Sequence, residues 1–340
     1  MSIKTLIVAP SWVGDAIMSQ PLLARLAAQG CGPIDILAPG WVLPVYRRMS
    51  EVAGTIDNPF AHGELRLGER WKFGRDLAGR DYQRVLVLPN SLKSALIPFF
   101  ASIPERIGFT GEARYGLLNR RHRLDPEAVP LMVERFAQLA EAPGTLPQRP
   151  VVSPRINSTP EQQAATLAAI GEPRPEKLVV LCPGAEYGPA KRWPARHFAE
   201  LAKNLAQRHY TVWALGGKKD AEAGAAIAAA SNGACRNLCG HTHLEQAIDL
   251  LAISRFVVTN DSGLMHVAAA VDRPLVALFG SSSPGFTPPL SNRATVVSLN
   301  LTCSPCFKRE CPLGHLDCLE KLPPARVLDA ADALLMNPHA

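Results

Sequence analysis

Long uninterrupted apolar runs are missing from this 340-residue chain. A membrane-spanning helix needs about 18 or more consecutive apolar residues, and no stretch approaches that length. The apolar run in the opening MSIKTLIVAP is too short for the core of a signal peptide, and no cleavage site follows it. These absences argue against an integral membrane protein and predict a cytoplasmic one.

Charge is also scarce, because Asp, Glu, Lys and Arg make up only 19% of the residues. No long run of one sign predicts a disordered tail. The formal net charge of +6 favours anionic partners such as a phosphorylated small molecule, a nucleic acid or an anionic membrane surface. Nucleic-acid-binding motifs are absent, and the basic stretch 114–123 has little aromatic interleaving, so we expect no nucleic-acid partner.

The glycine fingerprints GxGxxG and GxxxxGK[ST] are absent as well, which leaves little support for a dinucleotide or P-loop site.

Apolar strand-like runs alternate along the chain with Ala/Leu-rich helical stretches. Runs that are apolar throughout are typical of parallel sheets covered on both faces. The predicted strands are 5–10, 34–39, 84–90, 177–184, 210–217, 255–261 and 274–282.

The length suits two domains, and a stretch rich in Pro and small polar residues, 141–160, is the predicted linker. We therefore predict an α/β fold with two Rossmann-like, doubly wound domains facing each other across a cleft. The boundaries are 1–155 and 175–322, with a C-terminal helix in 323–340 that we expect to pack back on the N-terminal domain. Ligands of such sheets bind beyond the carboxyl ends of the strands.

The stretch NDSGLMH places Asp261 and Ser262 between a predicted strand and a helix, with Gly263 and His266 in the first turns. The free N–H groups of a helix start favour an anion such as phosphate, and glycine permits close approach to the backbone. His266 would lie over the same point and donate to a phosphate oxygen. An ordinary N-cap followed by a packed histidine is the alternative.

A Gly/Pro-rich loop, PGAEYGPAKRWP, carries Lys191 and Arg192 shortly before a predicted helix. A cation here could stabilise the negative charge that grows on a diphosphate leaving group. The alternative is a solvated Lys–Arg pair at a helix start, where the helix dipole disfavours cations.

The first strand runs into SWVGDA, which places Asp15 at or near a helix N-terminus. The helix dipole and the free N–H groups are expected to stabilise the ionised carboxylate there, which suits a general base. The alternative is that Asp15 is only the N-cap of its own helix.

Two further features carry chemistry. Four of the eight cysteines follow the spacing C-x2-C-x4-C-x6-C at Cys303, Cys306, Cys311 and Cys318, with His315 among them. They predict either a structural metal site or a loop of reduced thiols.

Residues 90–123 combine apolar side chains with Lys93 and several arginines. Such a stretch could bind an anionic amphiphile at a membrane surface, or it could be an ordinary core helix followed by a solvated loop.

Together, LIVAPSWVGDAIMSQPLL, PGAEYGPAKRWP, NDSGLMHVAAA and CSPCFKRECP resemble the lipopolysaccharide heptosyltransferases over nearly the whole chain. The resemblance implies a GT-B architecture and an inverting glycosyltransferase. Its donor would be ADP-heptose, and its acceptor a lipid A–Kdo core that already carries one heptose. It also implies catalysis without a metal or cofactor, at the inner face of the inner membrane of a Gram-negative bacterium. We expect a monomer.

Carried over by position, the resemblance makes Asp15 the catalytic base and Lys191 the phosphate-contacting residue. Donor binding falls on Asp261, Ser262, Gly263 and His266, with Glu186 and Tyr187 in the loop before the lysine. A looser match assigns Gly216, Gly217 and Thr242 to the adenosine pocket. Lys93 and Arg121, which lie in the basic and apolar stretch 90–123, are the residues that we predict to bind the acceptor. Two alternatives remain: a nucleotide-sugar 2-epimerase of the same architecture, and a non-catalytic module that binds an anionic lipid or nucleotide.

Overall fold

The alternating pattern folds into two separate α/β units, which divide between Pro154 and Arg155. A computed structural model describes residues 3–61 and 63–336. The boundary falls inside the predicted linker. Residues 156–174 also fold as part of the second unit, because the helix within them packs on a later helix of that unit. Among the described residues, every helix is too short or too polar to cross a bilayer.

The first unit contains a parallel sheet of six strands in the order β3-β2-β1-β4-β5-β6. This is the strand order of dinucleotide-binding folds. The central strands are buried on both faces, as their apolar sequences predict. The strands are β1 (Ile3–Val8), β2 (Cys31–Ala38), β3 (Val52–Asp57), β4 (Arg84–Val87), β5 (Glu105–Phe109) and β6 (Arg120–His122).

Six helices connect or cover these strands. The predicted single helix after β1 is broken at Ser19, which ends one helix and precedes a second that has Pro21 in its first turn. The helices are α1 (Val13–Met18), α2 (Gln20–Ala28), α3 (Leu43–Tyr46), α4 (Leu67–Ala78), α5 (Leu92–Phe100) and α6 (Met132–Gln138).

The second unit repeats the topology, with six parallel strands in the order β12-β11-β10-β7-β8-β9. Read from β7, this is the same dinucleotide-binding order. The strands are β7 (Leu178–Cys182), β8 (Thr211–Ala214), β9 (Cys235–Asn237), β10 (Phe256–Asn260), β11 (Leu275–Leu278) and β12 (Ala294–Val297). The helices are α7 (Pro160–Ala169), α8 (Ala195–Gln207), α9 (Ala221–Ala230), α10 (Leu244–Ile253), α11 (Gly263–Ala270), α12 (Asp317–Glu320) and α13 (Pro324–Met336).

The C-terminal helix differs from the prediction. Helix α13 packs on α8, β11 and β12 and so belongs to the second unit. Its apolar residues Val327, Leu328 and Ala331 are buried in the same core as Trp193 and Phe198. Burial of this apolar stripe fixes the helix to the second unit, whereas the sequence led us to expect packing on the N-terminal domain. Residues 337–340, at the end of the predicted helical segment, lie outside the described part of the chain.

Candidate functional site

The strand order of the second unit creates a crevice between β7 and β10. The chain leaves β7 toward β8 and β9, then crosses back to place β10 on the other side of β7. Ligands of doubly wound sheets bind at such a switch point, beyond the carboxyl ends of the strands. The loop 183–193 follows β7 and the segment 261–263 follows β10, so the two strongest sequence motifs meet there.

An ion pair joins these two segments. The Lys191 ammonium lies 2.5 Å from a carboxylate oxygen of Asp261. The side chain of Lys191 is 17% exposed and that of Asp261 only 5%, so water screens the pair weakly. The structure therefore contradicts the picture of a solvated lysine at a helix start. Lys191 ends a short 3-10 turn, Pro189–Lys191, and helix α8 begins four residues later at Ala195.

Asn260 fixes both ends of the loop that carries this lysine. Its side-chain amide donates to the Pro183 carbonyl (2.7 Å), and its side-chain oxygen accepts from the Trp193 backbone N–H (3.1 Å). Trp193 is itself buried and donates from its indole to the Leu322 carbonyl (3.0 Å). The position of Lys191 is thus set by the buried end of β10, which a local reading of the loop sequence does not reveal.

Helix α11 begins at the same point. Ser262 has the extended backbone of an N-cap but makes no capping hydrogen bond through its side chain, and Asp261 turns to Lys191 instead. The first N–H groups of the helix, from Gly263 onward, have no partner within it. His266 is buried, and burial lowers its pKa to about 4, so the imidazole is neutral at physiological pH. It can donate one hydrogen bond but carries no charge.

The remaining predicted donor residues lie along the same edge of the sheet. Gly216 and Gly217 follow β8, and Thr242 lies between β9 and α10. Glu186 and Tyr187 are exposed on the loop after β7. Glu186 pairs with Lys219, and the Tyr187 hydroxyl donates to the Phe307 carbonyl (3.0 Å). The centroid of the Tyr187 ring also lies 5.2 Å from the Lys191 ammonium.

The sequence reasoning missed Asp220. Its carboxylate accepts from the Gly217 backbone N–H (2.9 Å) and lies against Gly184 and Gly216. A Cβ atom on Gly216 would come within 2.8 Å of the Asp220 side chain, which explains glycine there. Burial raises the pKa of Asp220. The run GGKKD contains the signal, since an Asp three residues after a glycine turn can accept from its backbone.

The first unit has an equivalent switch point between β1 and β4. Asp15 follows β1, on the third residue of α1, while Asn90 and Lys93 follow β4. The N-cap of α1 is Trp12. The alternative that Asp15 is the cap of its own helix is therefore wrong.

Asp15 is partly buried, and its carboxylate makes no hydrogen bond or ion pair within residues 3–61 and 63–336. Burial raises its pKa from 3.8 to about 6. This corrects the expectation that the helix start would hold the group in its ionised form, because desolvation outweighs the short helix α1. A carboxylate with a pKa near 6 is a stronger base than an ordinary aspartate and is still mostly ionised at pH 7.

Three aromatic side chains lie near the start of helix α1, which carries Asp15. Tyr46 is buried, and its hydroxyl lies 3.1 Å from the Ser19 hydroxyl, which itself donates to the Ala16 carbonyl. Burial raises the pKa of Tyr46, and the charge of Asp15 raises it further, so Tyr46 stays a neutral phenol. On the outer side, Trp12 is 49% and Trp41 59% exposed, and the Trp41 indole donates to the Ser11 carbonyl (3.1 Å).

The two predicted acceptor residues are not brought together. Lys93 lies in the first turn of α5, at the switch point, whereas Arg121 lies on the edge strand β6 with its guanidinium over the Tyr115 ring. Sequence reasoning also missed Arg114, which is 2% exposed and donates to the Pro89 carbonyl (2.8 Å) and to Asn90 (3.1 Å). It fixes the turn after β4, and only its place in a run of arginines pointed to it.

Comparison with known proteins bears on these two sites. The family model of glycosyltransferase family 9 (heptosyltransferase) matches residues 70–317, which is more than half of the chain. The chain belongs to glycosyltransferase family 9. Lipopolysaccharide heptosyltransferase 2 of Escherichia coli K12 is 48% identical over 99% of this chain and 100% of its own length. The protein of the same description from Salmonella typhimurium is 48% identical, covering 98% of both chains.

A solved structure described as E. coli ADP-heptose LPS heptosyltransferase II superposes with a TM-score of 0.89, at 45% identity, covering 99% of this chain and 100% of that chain. The resemblance to the lipopolysaccharide heptosyltransferases is therefore confirmed, as are the GT-B fold class with its two Rossmann-like units and the assignment as a glycosyltransferase. The epimerase and the non-catalytic module are not favoured. The roles of individual residues in family 9 chemistry stay predictions.

Proposed function

We propose that this chain is a heptosyltransferase of the second type. It would transfer L-glycero-D-manno-heptose from ADP-heptose to the first heptose of the lipid A–Kdo inner core. The observation that carries the proposal is the similarity over the whole chain, at 48% identity, to lipopolysaccharide heptosyltransferase 2 of E. coli. The two switch points suit such a transfer, because one has a carboxylate without a partner and the other has the cation Lys191 paired with Asp261, just before α11.

The second unit would hold the donor. The diphosphate would lie at the N-terminus of α11, where backbone N–H groups and the helix dipole favour an anion. Lys191, held by Asp261 at 2.5 Å, would add positive charge beside it. Neutral His266 would donate one hydrogen bond to a phosphate oxygen. The nucleoside would extend along the sheet edge toward Gly216, Gly217 and Thr242, with Glu186 and Tyr187 at its outer side.

Asp15 would act as the general base. An acceptor hydroxyl oxygen attacks the anomeric carbon of the donor while its proton passes to the Asp15 carboxylate. The bond from that carbon to the diphosphate oxygen breaks on the opposite face, and ADP leaves with the electron pair. One displacement inverts the anomeric configuration and needs no covalent nucleophile. Lys191 and the α11 amides stabilise the charge that develops on the departing ADP.

Positive charge for the leaving group is thus supplied by side chains and amides, and we infer that turnover needs neither a cofactor nor added divalent metal. We further infer a monomer that acts at the cytoplasmic face of the inner membrane. The acceptor is an anionic amphiphile. The first unit exposes Trp12 and also Trp41, which binds the Ser11 carbonyl just before helix α1, and the cations Lys93 and Arg121 lie on the same unit. Aromatic side chains and cations together favour an anionic membrane interface.

A transfer assay tests the proposal. ADP-heptose is incubated with lipid A–Kdo acceptors that carry no heptose or one heptose, and the products are weighed by mass spectrometry. We expect incorporation only into the one-heptose acceptor, with one ADP released per heptose added and no stimulation by magnesium. Transfer to the heptose-free acceptor, or epimerisation of donor alone, would contradict it. Binding to anionic vesicles in a flotation assay, weakened by salt, checks the membrane surface separately.

A further inference from the structure

The four clustered cysteines are unused by the reaction proposed above. They lie in residues 303–318, here called the thiol loop, which follows β12 and ends in α12. Residues 298–316 contain no helix or strand, and long irregular segments of this kind inside a compact unit are uncommon without a functional reason or a covalent or metal constraint. The thiols of Cys303, Cys306, Cys311 and Cys318 are all free.

All four sulfur-bearing residues line one small cavity of about 20 Å³. Its other lining residues include His315, Ser281 and Ala190. The Ser281 hydroxyl is buried and has no hydrogen-bond partner. All four thiols thus line the same cavity, and thiolates are the soft ligands that select ions such as zinc.

Because no three His, Cys, Asp or Glu donors are already placed around one point in residues 3–61 and 63–336, the thiols must turn inward to bind an ion. Tetrahedral zinc with Zn–S bonds of about 2.3 Å requires sulfur atoms about 3.8 Å apart. Side-chain rotation of cysteines on one irregular loop can supply that approach. Each ligating thiol then releases its proton to solvent as its sulfur binds the metal.

We propose that Cys303, Cys306, Cys311 and Cys318 form a structural site for a soft divalent cation such as zinc. Four thiolates leave no open coordination position, so the metal has no place in the transfer chemistry. This distinguishes it from a catalytic metal, and it is compatible with turnover that needs no added magnesium.

The site also has a consequence for Lys191, and this part rests on the proposed function. The thiol loop packs on the loop that carries the lysine: the Ala190 N–H donates to the Arg309 carbonyl (3.0 Å), and the Tyr187 hydroxyl donates to the Phe307 carbonyl. A Cβ atom on Gly188 would approach the Arg309 carbonyl oxygen to 2.5 Å, so the two backbones are in close contact. A metal in the thiol loop would brace the lysine loop.

Metal content tests the site without reference to activity. Protein purified without a metal-affinity column or chelator is analysed by inductively coupled plasma mass spectrometry, and we expect about one zinc or iron per chain. Titration of native wild-type protein with a mercurial thiol reagent should release that metal in step with four thiols. Cobalt added to the apo protein should produce sulfur-to-metal charge-transfer absorption. These wild-type measurements do not depend on whether a variant folds.

Variants locate the site. Cys303→Ser with Cys306→Ser should lose the metal and lower the melting temperature, whereas Cys31→Ala, in the other unit, should retain it. Heptose transfer by the apo protein should fall mainly through a higher KM for the donor. Protein that contains no metal, and that binds neither zinc nor cobalt when they are added, would overturn the proposal. That outcome would leave the transferase assignment intact, just as a failed transfer assay would leave a measured metal in place.

Discussion

The two units share one strand order but place opposite chemistry at the same topological point. After β1 and β4 of the first unit lies Asp15, a partnerless carboxylate with its pKa raised to about 6 by burial. After β7 and β10 of the second unit lies Lys191, a cation held by Asp261, next to a neutral histidine. The switch point of a doubly wound sheet therefore fixes where a ligand binds, and the residues placed on it fix what is bound.

The contrast extends to how each group is held. Desolvation raises the pKa of Asp15, so it binds a proton more readily, whereas the buried carboxylate of Asp261 holds the Lys191 ammonium in place. A proton acceptor benefits from the first environment and a leaving-group stabiliser from the second. If this division of labour is correct, exchanging or neutralising either group should have separable effects on turnover, pH dependence and stability.

Neutralising Asp15 should produce the largest effect. Asp15→Asn keeps the volume of the side chain but cannot take a proton, so we expect transfer to fall by about 10²–10⁴-fold. Donor affinity, measured by calorimetry with ADP-heptose, should be unchanged because the donor is held by the second unit. Near wild-type transfer by this variant would refute the base assignment.

The same variant should be more stable than the wild type above pH 6. Because the folded pKa of about 6 exceeds the ordinary 3.8, ionising Asp15 destabilises the fold. The penalty is absent below about pH 4 and complete above about pH 6. The melting-temperature difference between Asp15→Asn and wild type should therefore grow across that window. A structural role for the carboxylate would give the opposite sign.

Removing the cation of the second unit should have the next largest effect. Lys191→Met deletes the charge and leaves Asp261 buried without its partner, so we expect kcat to fall by about 10²–10³-fold and the fold to lose about 1–3 kcal/mol. Arg208→Met is the matched control, because it breaks an exposed pair with Asp332 in the same unit. That control should change the free energy of unfolding by about 0.5 kcal/mol or less. Equal losses in the two variants would show that Lys191 has no special role.

The pH profile sharpens the comparison. With the pKa of Asp15 near 6, kcat/KM should fall about tenfold per pH unit below pH 6 and level off above about pH 7. His266, with its pKa lowered to about 4, should contribute no step between pH 5 and 8. Phosphates on the acceptor also titrate near pH 6, so the residual rate of Asp15→Asn is the control. A profile that is the same in both proteins would assign the step to the substrate.

How much of the fold could be predicted from the sequence depends on how deeply each element is buried. The predicted strands are the ones buried by neighbours on both sides, where nearly every residue is apolar. The four strands at the sheet edges, β3, β6, β9 and β12, were missed, together with β5, which lies next to an edge. Edge strands are half-exposed and often short, so their apolar signal is weak. Helix α4 was missed because most of its residues are exposed and polar.

The candidate sites follow the same logic. Residues directly after central strands were predictable, because parallel strands bring their carboxyl ends to one edge of the sheet. Arg114 was not, since the turn after β4 that it binds is distant in sequence. Asp220 was missed although GGKKD contains a local signal, and its contact with Gly184 forms only in the folded chain. The raised pKa of Asp15 could not be predicted from the sequence either. It depends on how deeply the folded chain buries one carboxylate, which local helix geometry does not determine.

The smallest expected effect tests the packing at the edge of the donor site. Gly216→Ala introduces a methyl group 2.8 Å from the side chain of Asp220, whereas a Cβ on its neighbour Gly217 would come no closer than 3.9 Å to the same residue. We expect Gly216→Ala to destabilise the second unit by about 1–3 kcal/mol and to raise the KM for ADP-heptose, with kcat little changed. Gly217→Ala should be close to wild type in both measurements. Because the two substitutions add the same atoms one residue apart, a difference between them isolates the contact with Asp220. Equal behaviour would mean that this carboxylate moves aside freely and does not shape the nucleoside end of the site.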